Sequence, residues 1–275
     1  MDCDASRQCA PGLLGLRDGR SVFVRQPSTP EDWLQATRAM VACPTASIGV
    51  VGARPEVRGV FPWKVAPDVH LCGYGSPLAY GANAWWVSRP GGGVLIDGPR
   101  FVPALVEHFA AHGGLKHVLL THRDDVGDAR KYAEHFGARV WIHEEDLRAA
   151  PFATDVLRGD EPVDIEADLR AVPIPGHTRG SVAFVWAQRA LFSGDSLHFS
   201  RTLGTLAAFG AQCWYSWPEQ TRSLERLART ERFSEVYAGH GSRWQAPNAE
   251  AMQAAVLELV ARMQANQPEL AGTPW

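Results

Sequence analysis

The sequence predicts a mixed α/β protein in which helices cover sheet. Three observations carry this. Short apolar runs of strand length alternate with segments of helical periodicity; no internal repeat interrupts them; and His and Asp residues recur just after several of the apolar runs. At 275 residues, with 45% apolar and 21% charged residues, the chain suits one large globular domain with room for a small appendage. A net charge of −3 supplies no positive field, so a small-molecule substrate is expected rather than nucleic acid. No apolar stretch approaches the ~20 residues that span a bilayer. The chain opens with Asp2, Cys3, Asp4 and Arg7 rather than a basic and then apolar leader, so no membrane association and a cytoplasmic location are expected.

The first 50 residues stand apart from the rest, with three of the five cysteines and one clear helix. Thr29 caps that helix, Pro30 suits its first position, and Trp33, Leu34, Met40 and Val41 recur near helical spacing until Cys43-Pro44 stops it. A Pro/Gly-rich linker over residues 51–67 leads to a second domain over 68–275. There Val94–Ile96 reads as a buried strand ending at Asp97, Val102–His112 as a helix, and His117–Thr121 as a strand. Asp124–Phe136 is expected to be helical, with Val126, Ala129, Ala133 and Phe136 on one face, and Arg139–His143 to be a strand. Ala171–Ile174, Ser181–Trp186 and Ala190–Phe192 read as strands, Pro218–Ala228 as a helix, Glu235–Tyr237 as a strand and Ala249–Ala265 as a closing helix.

Candidate metal ligands sit at the ends of these strands. His122 and the pair Asp124-Asp125 follow the run at 118–121; His177 follows Val172-Pro173-Ile174; Asp195 follows Leu191-Phe192; His240 follows Val236-Tyr237. A strand end is rigid enough to hold a ligand within the tolerance a metal demands. Gly176, Gly194, Gly239 and Gly241 allow the backbone to turn sharply beside it. A lone histidine at a strand end is usually structural, but four His/Asp turns at strand ends, three of them beside glycine, are hard to explain by packing. His70, His108, His112, His117, His135, His143 and His198 lack such spacing and read as surface or packing residues. His143-Glu-Glu-Asp146 reads as a helix start with acids favoured by the helix dipole.

Thr-His-Arg-Asp-Asp at 121–125, Gly-His-Thr-Arg-Gly-Ser at 176–181, Ser-Gly-Asp at 193–195 and Gly-His-Gly at 239–241 resemble four successive motifs of the metallo-β-lactamase superfamily. The resemblance covers roughly residues 70–245 and implies an αββα sandwich. The chain departs from the family's first motif, His-x-His-x-Asp-His. Counted from His122, Asp124 replaces the second His; counted back from the following helix, Asp124 is the motif aspartate and Asp125 stands where a His was. Asp128, one turn on, is a further carboxylate. The resemblance implies one or two divalent ions (zinc, iron or manganese) on His122, His177, Asp195, His240 and a carboxylate of Asp124 or Asp125, with Asp195 bridging. It implies hydrolysis of a small ester, thioester or lactone by metal-bound water that Asp124 or Asp125 orients. Redox chemistry at iron, or a catalytically silent binding module, are the alternatives.

Cys3-Asp-Ala-Ser6-Arg-Gln-Cys9-Ala-Pro11, with the distant Cys43-Pro44, resembles a single-cluster bacterial ferredoxin, which implies a small ferredoxin-like α+β module over residues 1–50. In one register Cys3 is a cluster ligand and Ser6 replaces another. In a second, Cys3, Cys9 and Cys43 form a three-cysteine set for an iron–sulfur cluster. The third reading keeps the module for packing, with Cys9 and Cys43 as small buried hydrophobes.

Overall fold

A computed structural model describes residues 4–267 of the chain. Two compact units emerge, one of residues 4–119 and 124–140, the other of 120–123 and 141–267. Among the described residues, no helix is long and apolar enough to cross a membrane.

The first unit begins with helix α1 (Ala5–Cys9), a hairpin of β1 (Leu14–Arg17) and β2 (Arg20–Phe23), and helix α2 (Pro30–Ala42). The capping box forms as the residue types dictate: Thr29 Oγ1 accepts from Asp32 N at 3.1 Å, and the Asp32 carboxylate accepts from Thr29 N. The buried residues of α2 are Asp32, Ala36, Thr37, Ala39 and Ala42, whereas Trp33 is 46% exposed, so the large apolar residues do not mark the packed side. Ser6, expected in one register to replace a cluster cysteine, donates its hydroxyl to Ala39 O at 3.0 Å and so ties α1 to α2. Strands β3 (Trp63–Lys64), β4 (Val69–Leu71), β5 (Trp85–Val87), β6 (Gly93–Ile96) and β7 (Leu115–Leu119) are successive neighbours in a sheet, antiparallel except for the parallel β6/β7 pair that helix α3 (Pro103–Ala111) connects. Trp86, Phe109 and Tyr132 are fully buried and pack in series as tilted pairs, with ring centroids 5.2 and 5.9 Å apart.

The helix expected from Asp124 starts later, as α4 (Ala129–Phe136). Gly98 and Gly127 press backbone against backbone: a Cβ on Gly127 would stand 1.9 Å from Gly98 O, and Gly127 adopts φ 47°. That contact holds residues 124–128 as a loop, a long-range constraint that local periodicity does not register. Asp128 then sits at the N-cap, accepting from Phe101 N at 2.9 Å and pairing with Lys131.

Strand β8 (Arg139–His143) runs across the division between the units and pairs parallel with β9 (Asp155–Leu157). The second unit holds a six-stranded sheet of β10 (Val163–Glu166), β11 (Leu169–Pro173), β12 (Val182–Trp186), β13 (Ala190–Gly194), β16 (Glu235–Ala238) and β17 (Trp244–Gln245), in that spatial order. The small ribbon of β14 (His198–Ser200) and β15 (Thr205–Ala207) precedes helix α5 (Trp217–Thr230), and α6 (Ala249–Gln264) is the last helix among the described residues. Leu224 and Leu227 of α5 and Met252, Val256 and Leu259 of α6 bury their apolar sides with Val172 and Val236 of the sheet. β13 and β16 are parallel neighbours, Leu191 opposite Val236, so their C-terminal ends emerge side by side. This pairing of distant segments places the site.

Candidate metal centre

Asp195 is the first residue past β13, and His240 follows β16 through Gly239. Gly239 N donates to Gly194 O at 2.8 Å, joining the two turns. Gly194 turns with φ 51°, and a Cβ there would lie 2.7 Å from Thr121 Oγ1, so glycine is demanded twice over. His240 Nδ1 faces both carboxylate oxygens of Asp195, at 2.9 and 3.0 Å.

His177 comes from the loop after β11. Ile174 N donates to Ser181 O, and Val182 N to Thr121 O, both at 2.8 Å, which brings this loop to the segment carrying His122. The segment before α5 grips the other side of the loop. Trp214 N and Tyr215 N donate to His177 O at 2.9 and 3.1 Å, and the Cys213 thiol donates to Gly176 O at 3.2 Å. Burial pushes that thiol up to about 11, so it stays protonated at neutral pH. Trp214, 59% exposed, places its ring 6.4 Å from that of His177.

His122, His177 and Asp195 converge, with one ligand atom from each lying within 4.8 Å of the others, and all three are buried. The Nε2 atoms of His122 and His177 each stand 3.7 Å from the same atom, Asp195 Oδ2. Those separations are too long for hydrogen bonds. Ligands about 2.1 Å from one ion at tetrahedral angles stand roughly 3.4 Å apart, so both separations suit a shared ion. The two imidazoles meet edge to face, centroids 4.8 Å apart at 87°, as rings directed at a common point do. His122 Nδ1 lies 3.0 Å from Thr121 Oγ1. With the proton on Nδ1 and donated to that hydroxyl, the Nε2 lone pair is left for a metal. Burial alone would raise the Asp195 carboxyl, but the imidazoles of His240, His122 and His177 outweigh it and hold the group well below the usual carboxylate range. The arrangement can therefore hold one divalent cation on two imidazoles and an ionised carboxylate, with His240 hydrogen-bonded behind it.

Asp124 and Asp125 belong to the first unit. Asp125 is fully buried in the loop before α4, and its carbonyl accepts from Gly98 N at 3.1 Å; Asp124 is half-buried. Of the cluster candidates, Cys3 lies outside the described residues. Cys9 and Cys43 are buried and not joined in a disulfide, and Cys43 Sγ accepts from Ser47 N at 3.3 Å. Burial raises the Cys43 thiol, but hydrogen bonds from Thr45 and Ser47 outweigh it and lower the group overall.

Two histidines set aside in the sequence have packing environments. His198 stacks on Phe209 at 3.9 Å and is pushed down to about 3 by burial, so it stays neutral. His143 caps a 3-10 turn by accepting from Glu145 N. Asp146 is different. The sequence places it among acids at a helix start, yet it is 2% exposed and accepts from Arg123 N and Thr178 Oγ1. Nothing in the local acidic run distinguishes it from Glu144 and Glu145.

Comparison with known proteins identifies the family. Residues 1–50 match the model of the 4Fe-4S single cluster domain of Ferredoxin I, and residues 76–257 match that of the Metallo-beta-lactamase superfamily. A hydroxyacylglutathione hydrolase of Acidiphilium cryptum (strain JF-5) is 30% identical over 60% of this chain and 66% of its own length; one of Xanthomonas campestris pv. campestris (strain B100) is 31% identical over 59% and 62%. The chain thus spans somewhat less than two thirds of these curated relatives. Among solved structures, a metallo-beta-lactamase family protein from Thermus thermophilus superposes with a TM-score of 0.52 at 23% identity, over 74% of this chain and 81% of that one. A metallo-beta-lactamase from Pontibacter korlensis gives a TM-score of 0.56 at 19% identity, over 74% and 97%. The chain belongs to the metallo-β-lactamase superfamily and has its mixed α/β fold, preceded by a segment similar to a single-cluster ferredoxin.

Proposed function

We propose that this protein is a metal-dependent hydrolase of a small thioester, with one divalent ion held by His122, His177 and Asp195. The observation that carries the reading is the pair of imidazole Nε2 atoms, each 3.7 Å from one buried carboxylate oxygen. Similarity to the hydroxyacylglutathione hydrolases favours a thioester over an ester or lactone. A bound ion would supply Lewis acidity and bring the pKa of its water toward neutrality.

The chain's own groups prepare the site for that chemistry. The Thr121 hydroxyl can accept the His122 Nδ1 proton, which favours the tautomer with Nε2 open to a metal, and the buried Asp195 stays ionised between imidazoles. Trp214 offers an exposed aromatic face beside His177 for the apolar part of a substrate. By motif position, Asp124 or Asp125 orients the attacking water. In the reaction an oxygen–carbon bond forms at the acyl carbon as the carbon–sulfur bond breaks, and the thiol leaves with a proton.

The test follows thiol release from a panel of acyl thioesters, a hydroxyacylglutathione among them. It uses protein loaded with zinc or manganese and the same protein stripped by a chelator. Release that needs the metal supports the reading; no release from any thioester in any metal state overturns it. The iron–sulfur cluster on Cys3, Cys9 and Cys43 is a separate proposal. Brown absorbance with acid-labile sulfide after anaerobic reconstitution supports it, and colourless protein refutes it.

A further inference from the structure

We propose that Asp146 is a positioning residue that locks the His122 and His177 loops together and thereby sets the affinity of the site for a divalent ion. The inference rests on the metal reading above. One oxygen, Asp146 Oδ2, accepts the backbone N–H of Arg123 at 3.0 Å and the hydroxyl of Thr178 at 2.6 Å. Arg123 is the residue immediately after His122, and Thr178 the residue immediately after His177. A single buried atom therefore holds the chain one residue beyond each imidazole.

The anchor is rigid on every side. Thr178 Oγ1 also lies 2.9 Å from Ser181 Oγ, which in turn accepts from Thr178 N at 2.9 Å, so the hydroxyl cannot swing away without breaking a second pair. Gly180 packs against the carboxylate, and a Cβ there would lie 2.6 Å from Asp146 Cγ. Asp146 Oδ1 is buried with no hydrogen-bond partner among the described residues. Oδ2 bonds to both ligand loops at once, at 3.0 Å to Arg123 N and 2.6 Å to Thr178 Oγ1. Metal ligands must be held within about 0.5 Å of their productive positions, which loops from distant parts of the chain do not achieve unaided.

The experiment measures zinc affinity of the full-length, metal-stripped protein by competition with a chromophoric chelator, together with thermal unfolding of the metal-free form. Wild type is compared with Asp146→Ala, Asp146→Asn and Thr178→Val. Asp146→Ala is expected to bind zinc about 10- to 100-fold more weakly, as loss of an outer-shell partner typically does. Asp146→Asn can place its amide oxygen where Oδ2 was and accept both bonds, so it should bind close to wild type. Thr178→Val removes one of the two anchors and should fall between, which keeps the test informative if the alanine variant does not fold. Equal affinity in Asp146→Ala, Thr178→Val and wild type would overturn the proposal, as would an asparagine variant as weak as the alanine one. Failure of wild type itself to bind zinc, cobalt or manganese would instead refute the metal reading on which it rests.

Discussion

Thr121→Val probes the tautomer argument with the least disturbance of shape. The Thr121 hydroxyl lies 3.0 Å from His122 Nδ1, and both residues are about 1% exposed. The backbone of Gly194 crowds the hydroxyl so closely that a Cβ there would approach it to 2.7 Å, which leaves no space for water to replace it. Valine keeps the branched shape but leaves an imidazole nitrogen buried opposite a methyl group. Such a loss costs about 1–3 kcal/mol. At 1.4 kcal/mol per factor of ten, zinc binding should weaken roughly 5- to 150-fold, because the metal-bound tautomer is the one that needs the hydroxyl. Chelator competition at constant pH measures the affinity, and unfolding of the metal-free protein controls for stability. Unchanged zinc affinity in Thr121→Val, with the fold intact, would refute the claim that this hydroxyl sets the His122 tautomer.

Gly194→Ala should be more severe. The added methyl must be accommodated at φ 51° and meets Thr121 at 2.7–2.8 Å. Backbone strain of about 1–2 kcal/mol and overpacking of about 1–3 kcal/mol should appear in chemical denaturation and lower metal content together. Acid sensitivity should involve His108, which burial, His112 and His70 push down to about 4. An unfolded histidine titrates near 6.5, so the unfolded state takes up the proton first, and stability falls as pH drops from about 6.5 toward 4. Denaturation midpoints of His108→Phe across that range should show a flatter slope than wild type; an unchanged slope would exclude His108 as the source.

The ligand turns at His177, Asp195 and His240 were legible in sequence because each is a short, glycine-flanked stop after an apolar strand, and His122 follows a fourth such strand without a glycine beside it. Their convergence was not legible. It depends on β13 lying parallel to β16, and no local signal pairs Leu191 with Val236. Asp146 was hidden for a similar reason, since its partners at 123 and 178 are remote and its neighbours Glu144 and Glu145 are ordinary acids of a first turn. The overlong helix from Asp124 reflects the Gly98–Gly127 contact, again long-range. Strand β10 was within reach: Val163-Asp164-Ile165-Glu166 alternates with the two-residue period of a strand. Trp33 misleads because bulk does not mean burial in α2, whose packed side is built from small alanines.

Elemental analysis of protein purified without a metal-affinity tag bears most directly on the centre, comparing wild type with His177→Ala and Asp128→Ala. The geometry predicts near-stoichiometric divalent metal in wild type, its loss in His177→Ala, and its retention in Asp128→Ala, whose carboxylate is committed to Phe101 N and Lys131. Metal held equally by wild type and His177→Ala, or lost equally from both variants, would contradict a centre built on His122, His177 and Asp195.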